Sequence, residues 1–130
     1  MKQLIGISAL LVFFAGVAMS QTKWEVPAKN HTMKAAADLK NASVVATGKD
    51  LWAKHCKSCH GAKGLGDGPK AAMLKTNPGN FTTPAFQGQT DGDLYYKTLT
   101  GRNEMPAFDK KIPNPADQWS LVAFMRTLKP

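Results

Sequence analysis

Apolar residues recur at helical spacing in three stretches of this chain, and loops rich in glycine and proline separate them. The first stretch predicts a helix that starts near Asn41 or Ser43, either of which can cap it. Val44, Gly48, Leu51, Trp52 and His55 fall on one face of a 3.6-residue period. A glycine in mid-helix costs about 1 kcal/mol relative to alanine, so Gly48 marks a place where another backbone comes close. The helix runs directly into Cys56. Gly61, Gly64, Gly66, Gly68 and Pro69 then make a turn-rich loop. A short helix is expected within Lys70 to Lys75, and Asn77 to Pro84 reads as loop.

The second helix is announced by Thr90 as cap with Asp93 three residues later. Leu94, Tyr95, Thr98 and Leu99 form its buried stripe, and Gly101 stops it. The third has Asn114 as cap, Pro115 in the first helical position and Asp117 in the first turn, where negative charge is favoured. Leu121, Phe124, Met125 and Leu128 carry its apolar face, which Trp119, Val122 and Ala123 broaden. No stretch alternates as a strand would, and there is no internal repeat or low-complexity run. The fold class is all-α with long loops.

The N-terminus has a different pattern. Lys2 precedes an uncharged, largely apolar run of 14 residues from Leu4 to Val17, and Ala18-Met19-Ser20 places small residues before Gln21. This is the layout of a secretory signal peptide over residues 1–20, too short for a comfortable membrane span. An uncleaved membrane anchor is the alternative. The mature chain would begin at Gln21 and lie in the periplasm, free or tethered. Residues 21–42 read as a lead-in segment, either a flexible tether or a strap, and 43–130 as one domain. A domain of that size gains only marginal stability from apolar burial alone.

The candidate chemistry is concentrated in Cys56-Lys57-Ser58-Cys59-His60. Two thiols separated by two residues can each add across a porphyrin vinyl group, and the histidine that follows reaches the iron. C-x-x-C-H is the pattern of c-type haem attachment, and these are the only two cysteines of the chain. In an exported protein they would otherwise oxidise to each other. The other face of the haem has several candidate ligands: His31, His55, Met33, Met73, Met105 and Met125. His55 is held beside the attachment site and is poorly placed to cross the haem, and Met125 belongs to an apolar stripe. Met105 lies in the loop Gly101 to Pro106 with Pro106 stiffening the chain beside it, although methionine often simply fills gaps. A dithiol oxidoreductase, a zinc site on the two cysteines, and a haem enzyme or gas sensor with a vacant distal face are the competing readings. The first would normally sit in an α/β pattern. The second asks adjacent ligands to complete a tetrahedron.

Charge refines the picture. The formal net charge is +8, or +7 without Lys2, and residues 48–80 carry six lysines against Asp50 and Asp67. The excess therefore surrounds the attachment motif. With only two arginines and no basic stripe interleaved with aromatics, nucleic acid is not the expected partner. Steering toward an acidic protein and a merely solvated lysine surface fit equally well.

Taken together, these features resemble a class I cytochrome c over about Ser43 to Leu128. The residues that carry the resemblance are Gly48 to Trp52, Cys56 to Gly61, Gly64 to Pro69, Asp91 to Tyr96, the Met105-Pro106 pair, and Trp119 with Phe124. The resemblance implies three to five helices around one covalent haem c, the first and last crossing near Gly48 with Trp52 and Trp119 packed about the crossing. It implies His60 as proximal ligand, its ring held by the carbonyl of Pro69, and Met105 as distal ligand. It implies a one-electron carrier, not an enzyme, with no small-molecule substrate. A quinol-oxidising complex would be its donor and a terminal oxidase or reductase its acceptor. The alternative is a haem-binding subunit of a larger membrane complex. Tyr95, Tyr96 or Arg102 could bond a propionate, and Lys54, Lys57 and Lys63 would present the haem edge.

Overall fold

The first predicted helix forms where its cap stands. In the computed structural model, which describes residues 23–130, Asn41 accepts from the Ser43 amide at 2.9 Å and α2 runs over Ala42–His55. The signal segment expected at 1–20 lies outside the described residues. Before α2 comes α1 (Ala28–His31). After it come α3 (Lys57–His60), a 3₁₀ turn at Ala71–Met73, α4 (Pro84–Gln87), α5 (Asp91–Thr100) and α6 (Pro115–Thr127). Among the described residues there is no strand, only an isolated bridge between Arg102 and Met105. None of the described helices is long and apolar enough to cross a membrane. The expectation of three to five helices is exceeded because α1, α3 and α4 are single turns of four residues each.

The caps of α5 and α6 act as read. Thr90 and Asp93 exchange both bonds of a capping box, each at 3.1 Å. Asn114 accepts from the Ala116 amide at 2.9 Å, with Pro115 opening α6. The short helix expected within Lys70 to Lys75 is the 3₁₀ turn. The single turn α4 begins where the stretch read as loop ends, started by the Thr83 hydroxyl and by Pro84 at its first position.

The core is built on α6, which is buried without interruption from Gln118 to Met125 because α2 covers one side and α5 another. The crossing of α2 and α6 is close enough to exclude any side chain at Gly48. A Cβ there would lie 1.8 Å from the Ser120 carbonyl oxygen and 2.9 Å from Phe124 Cβ. Trp52 packs against Phe124 at 5.6 Å beside the crossing, whereas Trp119 stacks on Tyr95 of α5 at 4.1 Å. The far end of α6 is pinned by Arg126, which donates to Asp91 and to the carbonyls of Gln87 and Gln89. The described part of the lead-in segment folds back as a strap, with α1 packed on α5.

Candidate functional site

Helix α2 delivers Cys56 at its end, and the single turn α3 carries Cys59 and His60. The loop that follows is laced onto this turn. Gly66, Gly68 and Lys70 donate their amides to the carbonyls of His60, Cys59 and Ser58 at 2.9, 3.2 and 2.8 Å. A Cβ on Gly68 would meet the Ser58 carbonyl oxygen at 2.5 Å, so only glycine lets the loop come so near. Trp52 donates its indole N–H to the Gly61 carbonyl at 3.0 Å and ties the turn back to α2. The His60 ring sits between Trp52, 5.6 Å away, and Phe81, 4.7 Å away, which fixes its plane.

Both cysteines are free thiols. Burial pushes the Cys56 thiol up to about 12, with Cys59 adding to the rise. A dithiol oxidoreductase needs the opposite, a thiol made acidic by its surroundings, and the described residues lack the strands of its usual fold. Among the described residues, no three His, Cys, Asp or Glu side chains converge into a metal cluster. Burial holds His60 below the usual histidine value, partly opposed by the carbonyl of Pro78. A neutral imidazole is the form that binds iron. Nδ1 of that ring is buried with no partner at full hydrogen-bond geometry.

The proline assignment needs correction. The carbonyl acting on His60 belongs to Pro78, not to Pro69. Residues 66–70 are spent on the outer carbonyls of the attachment turn, which leaves Pro69 exposed. The run Asn77 to Phe81 passes along the cavity beside His60 instead, placing Pro78 on the wall and Phe81 against the ring. Phe81, a lone large apolar residue in a polar loop, is the sequence signal for that placement.

Cys56, Cys59, His60 and Met105 all line one cavity of about 380 Å³. Its walls are mostly apolar, with Phe81, Phe86, Leu94, Phe108 and Met125 among them. Met105 enters from a tightly closed turn. Arg102 and Met105 exchange backbone bonds, both at 2.9 Å, around Asn103 in the left-handed region (φ 53°). One carboxylate oxygen of Glu104 accepts from the amides of Lys75 and Thr76 at 2.8 and 3.1 Å and from the Thr76 hydroxyl at 3.2 Å. This fastens the Met105 turn to the loop that leads to Pro78. Those bonds hold the Glu104 carboxyl below the usual carboxylate range.

The other candidate ligands have other contacts. His31 Nδ1 lies 2.5 Å from Asp93 Oδ1, Met33 Sδ accepts from Asn30 at 3.1 Å, and Met73 is 80% exposed. His55 and Met125 also border the cavity, but His55 meets Phe108 edge-on at 5.9 Å and Met125 is packed in the core cluster. Arg102 and Lys97 line the cavity; Tyr95 bonds Gln118 at 2.5 Å instead. Sequence reasoning missed Trp24, which reaches the same cavity from the strap. Two free thiols, an imidazole with an unpaired nitrogen and a thioether around an apolar cavity fit a covalently held haem.

The comparisons agree with this chemistry. Residues 43–125 match the family model described as cytochrome C oxidase, cbb3-type, subunit III. Among solved structures, the chain is similar to a chain of the Kuenenia stuttgartiensis reducing HAO-like protein complex Kustc0457/Kustc0458. That match has 28% identity and a TM-score of 0.62 over 75% of this chain and 51% of that one. A second similar structure is the KustC0563 c-type cytochrome, with 27% identity and a TM-score of 0.56 over 64% of this chain and 98% of that one. The chain thus spans about half the length of the first and nearly all of the second. No curated protein matches it.

Proposed function

The chain belongs to the family described as cytochrome c oxidase, cbb3-type, subunit III, and from that premise we propose that it is an exported one-electron carrier between respiratory redox proteins. Membership in this family of c-type cytochromes brings covalent haem c and its iron as the cofactor, and redox proteins as partners. The single attachment motif provides for one haem. Cys56 and Cys59 would hold it by thioether bonds, His60 would bind the iron from one side and Met105 from the other. The observation that carries this reading is that all four side chains line one apolar cavity.

Haem bound there supplies reversible exchange of one electron between the ferric and ferrous states. The residues of the chain set the terms of that exchange. Trp52 and Phe81 hold the His60 ring in plane, with the Pro78 carbonyl beside it. The closed turn at Arg102 to Met105 and the Glu104 clasp hold the thioether in place. Met105 as a ligand would leave no coordination site open and would raise the potential relative to a second histidine, which favours a carrier over an oxygen-activating enzyme. Lys54, Lys57 and Lys63 are exposed around the attachment turn and would steer an acidic partner to it. The donor would be a quinol-oxidising complex and the acceptor a terminal oxidase or reductase. The N-terminal segment would deliver the protein to the periplasm.

A second reading, a haem subunit of a larger membrane complex, draws support from the family's own description. The similarity to a chain of a multi-protein complex also favours it. Under either reading Met105 would close the iron. A haem sensor or enzyme would instead leave it open. Carbon monoxide separates these cases: the ferrous wild-type protein is expected not to bind it, and Met105→Ala is expected to bind it readily. Binding to the untreated wild type would overturn the carrier reading.

A further inference from the structure

Residues 23–31 lie outside the stretch matched by the family, yet Trp24 among them reaches the cofactor cavity. Trp24 lines it together with Lys97 and Arg102. The Arg102 guanidinium lies 4.6 Å from the centre of the Trp24 ring and the Lys97 ammonium 5.7 Å. Both distances are within the range of a cation–π contact. Lys97 is itself anchored by the Gln89 side chain. Trp24 also lines a second cavity of about 250 Å³, which the side chains of Lys23, Glu25, His31 and Asp93 border. Trp24, Gln89 and Lys97 line both cavities. Trp24 therefore stands between the apolar cavity and one bordered by charged side chains.

Two contacts hold the strap in that position, and neither involves the indole. The buried Asn30 of α1 lies so close to α5 that a Cβ on Gly92 would come within 1.8 Å of its carbonyl oxygen. One residue on, His31 pairs with Asp93. The strap is thus docked at α1 and places Trp24 at the cavity.

We propose that Trp24 is a cofactor-contact residue, through which the strap closes the haem cavity beside the Met105 turn and keeps water of the neighbouring cavity, bordered by charged side chains, away from the iron. This rests on the reading that the cavity holds haem. A tryptophan buries a large apolar area in one rigid group, which suits it to this role. Ferric haem iron carries one more positive charge than ferrous iron, so water near it stabilises the oxidised state. Excluding water raises the reduction potential. Joining the two cavities lowers it.

The test compares midpoint potentials of the haem-loaded full-length wild type, Trp24→Ala, Trp24→Phe and Gly92→Ala by spectroelectrochemistry. The near-infrared band of a methionine–iron bond is followed in each. Trp24→Ala is expected to lower the equilibrium constant for reduction about threefold, about 28 mV at 59 mV per decade for one electron, with the band retained. Trp24→Phe should recover most of the shift. Gly92→Ala forces α1 off α5 while leaving the indole in the chain, and should shift the potential in the same direction. If Trp24→Ala does not accumulate, Gly92→Ala carries the same test. An unmoved potential in either variant, with the band intact, would overturn the proposal. A wild type that lacks covalent haem would overturn the reading beneath it as well, and the two failures are distinguished by the absorption spectrum.

Discussion

Replacing Gly48 by alanine tests the frame that holds the site. An ordinary carbon contact begins at 3.4 Å, and the new methyl would sit 1.8 Å from the Ser120 carbonyl oxygen, so α2 must withdraw from α6 by about 1.6 Å. The obstacle is backbone, which cannot swing aside. Overpacking a core costs about 1–3 kcal/mol, and a rigid obstacle places this case near about 3. Alanine's better helix propensity returns about 1 kcal/mol. The net loss is about 2 kcal/mol, out of a total that is typically about 5–15. For a domain of this size that lowers the thermal midpoint by roughly 8–16 °C. The internal control is Ala46→Gly, on an exposed position of the same helix. Propensity alone makes that change destabilising by about 1 kcal/mol. Alanine should therefore be the better residue at 46 and the worse one at 48, in denaturant or thermal unfolding of the ferric protein. A neutral or stabilising Gly48→Ala would refute the close crossing.

Three further outcomes follow from the same geometry. Burial raises the Asp93 carboxyl, but the bonds from His31 and Thr90 outweigh it and leave it below the ordinary carboxylate value. A carboxyl depressed on folding stabilises the protein above its unfolded pKa and ceases to do so as pH falls through the folded one. Wild type should thus exceed Asp93→Asn in stability at neutral pH and lose that advantage from about pH 4 downward; equal stability at pH 7 would contradict the clasp. Glu104→Ala releases the Met105 turn from Lys75 and Thr76, so heating should remove the methionine–iron band at a lower temperature while helical circular dichroism persists. Loss of both signals together in the variant would argue against it. Electron delivery to an acidic partner should slow as ionic strength rises and the screening length falls from about 30 Å at 0.01 M to about 8 Å at 0.15 M, with Lys57→Glu slower still. A rate indifferent to salt would exclude the lysine surface as the docking face.

What was legible in the chain was mostly local or covalent. Asn41, Thr90 and Asn114 cap because a short polar side chain reaches an amide two or three residues on, whatever the rest of the chain does. Gly48 was readable for a different reason: a helix tolerates a glycine on its packed face where a neighbour needs the room. The attachment motif states its own chemistry. What escaped depends on partners far along the chain. Pro69 and Pro78 both follow His60, and only the path of the intervening loop decides which carbonyl faces the ring. The lead-in segment has weak periodicity because it folds by docking on α5 through Asn30 and His31 and makes no amphipathic helix of its own. Trp24 therefore gave no sign of its place at the cavity. Glu104 reads as an ordinary surface acid until the loop at Lys75 is seen to fold against it.

The central claim is that Met105 closes the iron opposite His60 and makes the protein a carrier. The most direct measurement is the near-infrared spectrum of the oxidised, haem-loaded protein, recorded for the wild type and for Met105→Ala. The methionine–iron charge-transfer band is expected in the first and absent from the second, while Met73→Ala retains it. A wild type without the band, or a Met105→Ala protein that still has it, would contradict the account.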